Sequence, residues 1–300
     1  MNHMPVKSPI TYFGGKSQLV PWILPILEEY PHQAYIEPFG GGASILLAKR
    51  PGFDVYNDIY GDIVNLFEVI RGRDTFPEFQ RLVELSPYSR EVFHKILAQH
   101  NAGKKSRDPV ERAAADFIIM RQAFSGKQAK NRGWKFSLTG NRTKISHSVQ
   151  SWLSAIERLP DVHRRLRTVQ IENIDAIECV KKYAFNGMVE GKRFTTLIYC
   201  DPPYPLATRP GGQLYRHEMT DERHAELVRT LLEVPGHKVV STYESPLYEP
   251  LLDAGWELIK KRVFCNALSK THSKRNLTEE QRRRTECLYC SPGRRKTLFD

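Results

Sequence analysis

The sequence has no apolar run long enough to cross a bilayer, nothing that reads as a signal peptide, and only five cysteines in 300 residues. The first two absences argue against a helical membrane protein or a secreted one, and the cysteine usage suggests a cytoplasmic home. The cysteines, Cys179, Cys200, Cys265, Cys287 and Cys290, read as reduced thiols rather than a disulfide framework. A zinc site from Cys265, His272, Cys287 and Cys290 is not expected. Their spacing is irregular, and residues three apart on a strand point to opposite faces. The triple glycine Gly40-Gly41-Gly42 opens neither a Gly-x-Gly-x-x-Gly fingerprint nor a phosphate loop, because no Gly-Lys-Ser/Thr follows it. Internal repeats and low-complexity segments are lacking too.

The charge is uneven. The net charge is +11, yet residues 86–150 carry 13 Lys and Arg against 4 Asp and Glu, and residues 260–296 carry 12 against 3. Each block is therefore +9 and the rest of the chain is −7. Two concentrated basic blocks suit a polyanion, to which phosphate attraction would supply much of the affinity.

Four motifs carry chemistry. Thr195-Thr196-Leu197-Ile198-Tyr199-Cys200 is an apolar, β-branched stretch that reads as a buried strand, followed by Asp201-Pro202-Pro203-Tyr204. Two prolines lack the N–H that would extend the strand, so the chain turns out at its end. That turn presents a carboxylate, stiff carbonyls and an aromatic ring, which suits a flat base with an exocyclic amine; turn chemistry alone would also make it a surface turn. Upstream, Tyr35-Ile36-Glu37-Pro38-Phe39 leads into the triple glycine and an apolar helix, a strand–loop–helix whose backbone can approach a ligand closely. Asp58, after Asp54-Val55-Tyr56-Asn57, stands where doubly wound folds hold ribose hydroxyls, with Asn57 as rival and a helix cap as the plain alternative. Tyr12-Phe13-Gly14-Gly15-Lys16 places a lysine before a helix, where it could meet a carboxylate.

In this order, Tyr-Phe-Gly-Gly-Lys, Glu-Pro-Phe-x-Gly-Gly, Asn-Asp-x-Tyr and Asp-Pro-Pro-Tyr resemble the Dam-like alpha group of DNA N6-adenine methyltransferases. The likeness spans Tyr12 to Tyr204, and Arg284-Thr285-Glu286-Cys287-Leu288-Tyr289 resembles the family's closing strand. The resemblance implies S-adenosyl-L-methionine as cofactor, held by Tyr12, Lys16, Glu37, Phe39, Gly40, Gly42, Asp58 and Asp201. It implies double-stranded DNA as substrate, an adenine flipped from the duplex, and Asp201, Pro202 and Tyr204 as the catalytic set, with Tyr204 stacking on the base. A restriction endonuclease is a further implied partner. RNA, cytosine-N4 and catalytically inactive relatives share parts of this pattern. Aspartate at position 201 and the basic segment before it favour DNA adenine.

The alternation of strands and helices predicts an α/β, Rossmann-like methyltransferase domain with a mostly parallel sheet, formed by residues 1–85 and 161–300. Residues 86–160 are expected to form an inserted, mainly helical target-recognition domain. Within it Arg121, Gln122, Lys130, Asn131, Arg132 and Lys135 have side chains suited to base edges, and Trp134 and Phe136 suit either stacking on opened DNA or a core. The family's recognition-loop residues are not matched here, so the resemblance carries no target sequence. The loop Pro205–Arg216, with Tyr215, is expected to order over the flipped base.

Overall fold

A computed structural model describes residues 4–12, 14–124, 133–140, 144–209, 217–264 and 283–295. In chain order the elements are α1 (Val20–Glu28), β1 (Ala34–Glu37), α2 (Ser44–Ala48), β2 (Phe53–Asn57), α3 (Gly61–Arg71), α4 (Phe76–Glu84), α5 (Arg90–Asn101) and α6 (Pro109–Gln122). They continue with α7 (His147–Glu157), α8 (Leu159–Leu166), β3 (Val169–Glu172), α9 (Ala176–Tyr183), β4 (Asn186–Val189) and β5 (Lys192–Cys200). Last come α10 (Asp221–Glu233), β6 (His237–Thr242), α11 (Glu249–Asp253), β7 (Glu257–Phe264) and β8 (Arg283–Cys290). The chain divides into two compact units. One comprises Met1–Pro25, Gly40–Asp175 and Leu214–His217, and the other Ile26–Phe39, Ala176–Gln213 and Glu218–Asp300.

The first unit pairs β2 with β3 in parallel, from Asp54 opposite Val169 to Asn57 opposite Glu172. Its helices start where short polar side chains cap them. Ser89 accepts from Val92 N ahead of α5, Asp108 accepts from Val110 N and Glu111 N ahead of α6, and Ser146 accepts from Val149 N ahead of α7. Phe79, Phe117 and Trp152 interlock edge-on and tilted between α4, α6 and α7. Deeper still, Arg165 of α8 donates to Asp54 Oδ2 at 2.6 Å and to Leu46 O at 2.9 Å, while Lys49 stands 3.5 Å from Asp54 Oδ1. The described part of residues 86–160 lies within this unit.

In the second unit the strand order is β1-β5-β6-β8-β7. The first three run parallel, with Ala34 opposite Thr196 and Leu197 opposite His237. Of these five β8 alone is reversed, pairing antiparallel with β6 and with β7 on its two sides, with Thr242 opposite Cys287 and Lys261 opposite Glu286. A hairpin not expected from the sequence sets β4 antiparallel to β5. Its two-residue turn, Glu190-Gly191, has positive φ at both positions, as a tight hairpin turn with the native twist demands. Every residue of β1 and the last six of β5 are buried, the unbroken apolar pattern of strands covered on both faces. The architecture is the mixed α/β, Rossmann-like arrangement that the alternation of elements predicts.

Candidate active site

In the first unit the glycine loop has its shape because side chains stand against it. A Cβ at Gly40 would lie 2.2 Å from the Tyr56 ring, and one at Gly41, which has φ +45°, would lie 2.9 Å from the Tyr12 ring. At Gly42 the Tyr12 Cβ is 3.2 Å from the same hypothetical atom. The Tyr56 hydroxyl donates to Gly41 O at 2.9 Å, holding the loop down on β2.

Asp58 takes the other side of that loop. Its Oδ2 accepts from Gly41 N and its Oδ1 from Tyr60 N, both at 2.8 Å. The carboxyl is buried, and burial raises its pKa from 3.8 to about 6 against the lowering effect of those two N–H groups. It does not cap α3, whose N-cap is Tyr60. Asn57, its rival in the sequence, is committed elsewhere: its side chain both donates to Ile174 O and accepts from Ile174 N. Lys16 is buried in a 3-10 turn, Lys16–Gln18, and its Nζ donates to Gly14 O at 3.1 Å. Phe13 lies outside the described residues.

Two of the expected base readers, Gln122 and Arg121, make bonds within the first unit. Gln122 is fully buried; its amide donates to Pro87 O at 3.3 Å and accepts from the Trp134 indole at 3.2 Å. It brackets Trp134 within the core. Arg121 is half-buried, with Nη2 on Ser151 Oγ at 2.8 Å and Nη1 on Thr11 Oγ1 at 3.3 Å. Burial, then the neighbouring Arg158, lowers its pKa to about 10. Its guanidinium is thus engaged on α7. Lys135 is half-buried, and its pKa is lowered by burial and by Arg121. Trp134 stacks at 6.4 Å on the exposed Phe136, and the Arg90 guanidinium lies 5.1 Å from the Trp134 ring centre. Lys130, Asn131 and Arg132 lie outside the described residues, as does Tyr215.

In the second unit the strand β5 ends at Cys200, and Asp201-Pro202-Pro203-Tyr204 turns out from its carboxyl end. Asp201 is half-buried and Pro202 is buried. Tyr204 is buried, at 6% exposure. The hydroxyl explains why: it donates to Glu286 Oε2 at 2.6 Å and lies 3.0 Å from Ser241 Oγ, while Tyr243 packs edge-on at 4.6 Å. Burial, then the charges of Asp201 and Glu286, raise the Tyr204 pKa well above 10, so the hydroxyl stays protonated. The Tyr199 phenol is raised in the same way, by burial first and then by the charges of Asp201, Glu37 and Glu286. Glu37 is buried and accepts the Tyr35 hydroxyl at 2.6 Å. Phe39 is half-buried. Behind the turn, His224 Nδ1 meets the Tyr248 hydroxyl at 2.8 Å, and burial lowers its pKa to about 4. Ser241, Tyr243 and Glu286 are not among the site residues expected from the sequence. One signal was present, a carboxylate in the apolar run of a closing strand.

Comparison with known families matches residues 12–283 to the D12 class N6 adenine-specific DNA methyltransferases. The chain belongs to this family. It is 28% identical over 213 residues to the type II methyltransferase M1.LlaDCHI of Lactococcus lactis subsp. cremoris, covering 68% of each chain. It is 26% identical over 248 residues to the type II methyltransferase M.MjaIII of Methanocaldococcus jannaschii, covering 75% of this chain and 79% of that one. Among solved structures, the rRNA methyltransferase aviRa of Streptomyces viridochromogenes aligns over 93% of this chain and 86% of its own at 13% identity and TM-score 0.35, too distant to carry an argument. As a D12-class enzyme the protein methylates adenine in DNA. Among the described residues no helix is long and apolar enough to cross a membrane, and no group of three His, Cys, Asp or Glu could hold a metal ion.

Proposed function

We propose that the enzyme transfers a methyl group from S-adenosyl-L-methionine to N6 of an adenine flipped out of duplex DNA, at a specific sequence. The observation that carries this proposal is the Asp-Pro-Pro-Tyr turn at the carboxyl end of β5, with Tyr204 locked by Glu286 and Ser241. The first unit fits the cofactor in two respects: a glycine loop that no Cβ could enter, and a buried carboxylate beside it with its pKa raised toward neutrality. In this reading Tyr12, Lys16, Gly40, Gly42 and Asp58 are cofactor residues of the first unit, Asp58 accepting from ribose hydroxyls. Glu37, Phe39 and Asp201 are those of the second.

Bound S-adenosyl-L-methionine supplies an electrophilic methyl on a sulfonium. The N6 lone pair of adenine is delocalised into the ring and is a poor nucleophile. The Asp201 carboxylate and the Pro202 carbonyl accept the two N6–H bonds and so direct that lone pair, while Tyr204 fixes the plane of the base. Residues 86–160 serve as the recognition segment, with Lys130, Asn131, Arg132 and Lys135 as its DNA contacts. The type II names of the relatives support a restriction endonuclease acting on the same sequence.

The test offers labelled S-adenosyl-L-methionine with duplex DNA, single-stranded DNA and RNA in parallel, alongside Asp201→Ala. The expected product is N6-methyladenine in duplex DNA, with turnover lost in Asp201→Ala. Label in RNA or on cytosine, or full turnover by Asp201→Ala, would overturn the proposal.

A further inference from the structure

Tyr204 is held at both ends. At its backbone, Pro202 and Pro203 each fix φ near −65° and leave the preceding chain little freedom. At its tip, the hydroxyl is shared between Glu286 Oε2 and Ser241 Oγ. A phenol pinned at Cα and at its oxygen keeps only rotation about its long axis, and the edge-on Tyr243 ring restrains that rotation. Three of these partners come from one register. Thr242 of β6 pairs with Cys287 of β8, which sets Glu286 level with Tyr243, just past the end of β6, with Ser241 one residue inside. Glu286 is buried at 8% exposure, so its bond to Tyr204 is little weakened by solvent.

We infer that Glu286 is a positioning residue for methyl transfer: it acts through the Tyr204 hydroxyl to set the ring plane against which the target base is aligned. The inference rests on the proposed contact of Tyr204 with the target adenine, and adds to it a residue 82 positions away that touches neither base nor cofactor. Within this triad, Ser241 acts as the second hydroxyl partner and Tyr243 as the rotational stop. A neutral amide at 286 would still accept from the phenol, whereas an aliphatic side chain would not.

The experiment uses the full chain, on duplex DNA carrying the recognised site with 2-aminopurine at the target position in one series. It compares wild type with Glu286→Gln, Glu286→Leu, Tyr204→Phe, the Glu286→Leu/Tyr204→Phe pair and Tyr204→Ala. Loss of one charge-assisted hydrogen bond in the transition state corresponds to roughly tenfold to hundredfold in kcat. Glu286→Leu and Tyr204→Phe should each lose turnover in that range, with KM for DNA and S-adenosyl-L-methionine affinity near wild type. Glu286→Gln should recover most of the loss, and the double variant should be no slower than either single one. Additive losses in the double variant would overturn the inference, as would wild-type turnover in Glu286→Leu or a fall in cofactor affinity matching the fall in kcat. If Glu286→Leu does not fold, Tyr204→Phe against Glu286→Gln carries the same comparison: full activity in Tyr204→Phe refutes the inference. Wild-type turnover and base extrusion in Tyr204→Ala would instead refute the underlying role of Tyr204, a separate and recognisable failure.

Discussion

The burial of Asp58 makes the stability of the fold depend on pH. A carboxyl moved from 3.8 to about 6 costs the folded state about 3 kcal/mol at pH 7.5, at about 1.4 kcal/mol per pH unit. Because the folded pKa is the higher one, the stability associated with this group is fully present below pH 3.8 and is lost as pH rises through about 6. Replacing it by asparagine removes that cost but leaves one oxygen for two donors, so either Gly41 N or Tyr60 N goes unpaired, at about 1–3 kcal/mol. The two terms nearly cancel at pH 7.5. Between pH 5 and pH 7.5 the charge term grows by about 1.4 kcal/mol, so the stability of Asp58→Asn relative to wild type should improve by that amount, roughly 3 °C in Tm. Thermal unfolding of both proteins at the two pH values measures it directly. A second readout follows from linkage if Asp58 accepts from the ribose as proposed: wild-type affinity for S-adenosyl-L-methionine should then weaken as pH falls below about 6, whereas that of Asp58→Asn, lower throughout, should stay flat. A pH-independent difference in Tm together with a flat wild-type affinity profile would refute the burial account.

Two further outcomes follow from packing. Gly40→Ala drives a methyl into the Tyr56 ring and should destabilise by about 1–3 kcal/mol while weakening cofactor binding, measured by urea unfolding and equilibrium dialysis; wild-type values for both would contradict the close packing of the loop. Gln122→Leu strands the Trp134 indole N–H and Pro87 O, and should cost about 1–3 kcal/mol of stability with no change in the sequence methylated, tested by unfolding and by sequencing methylated DNA. A shift in sequence preference would return Gln122 to the DNA edge.

Much of the fold was legible because its signals are local. β1 and the core of β5 stand out as apolar β-branched runs, and α5, α6 and α10 as amphipathic stretches behind good capping residues. The helices α4 and α8 were not expected; each carries a proline, Pro77 or Pro160, in its first turn, where it is well tolerated. Each carries apolar residues at helical spacing, Phe76, Phe79 and Val83 in one and Leu159, Val162 and Leu166 in the other. The β4–β5 hairpin escaped because Glu190-Gly191 is a weaker turn signal than Asn-Gly or Asp-Gly. In the candidate site, composition could nominate Tyr204 and Gln122 as contacts with nucleic acid, but not their burial. That depends on partners far along the chain, such as Glu286 and Trp134, and tertiary register has no local signature.

The strand order of the second unit bears on how the enzyme comes into being. β8 follows β7 in the chain, yet it lies between β6 and β7 rather than at the edge. A nascent chain that has emerged as far as β7 already contains every motif from Tyr12 to Tyr204 but cannot close this part of the sheet. Non-local pairings of this kind form late, after long loops have been ordered. Glu286 arrives with that strand. Support for Tyr204 is therefore a property of the finished sheet, and a fragment ending before Arg283 would carry the motifs without the hydroxyl anchor.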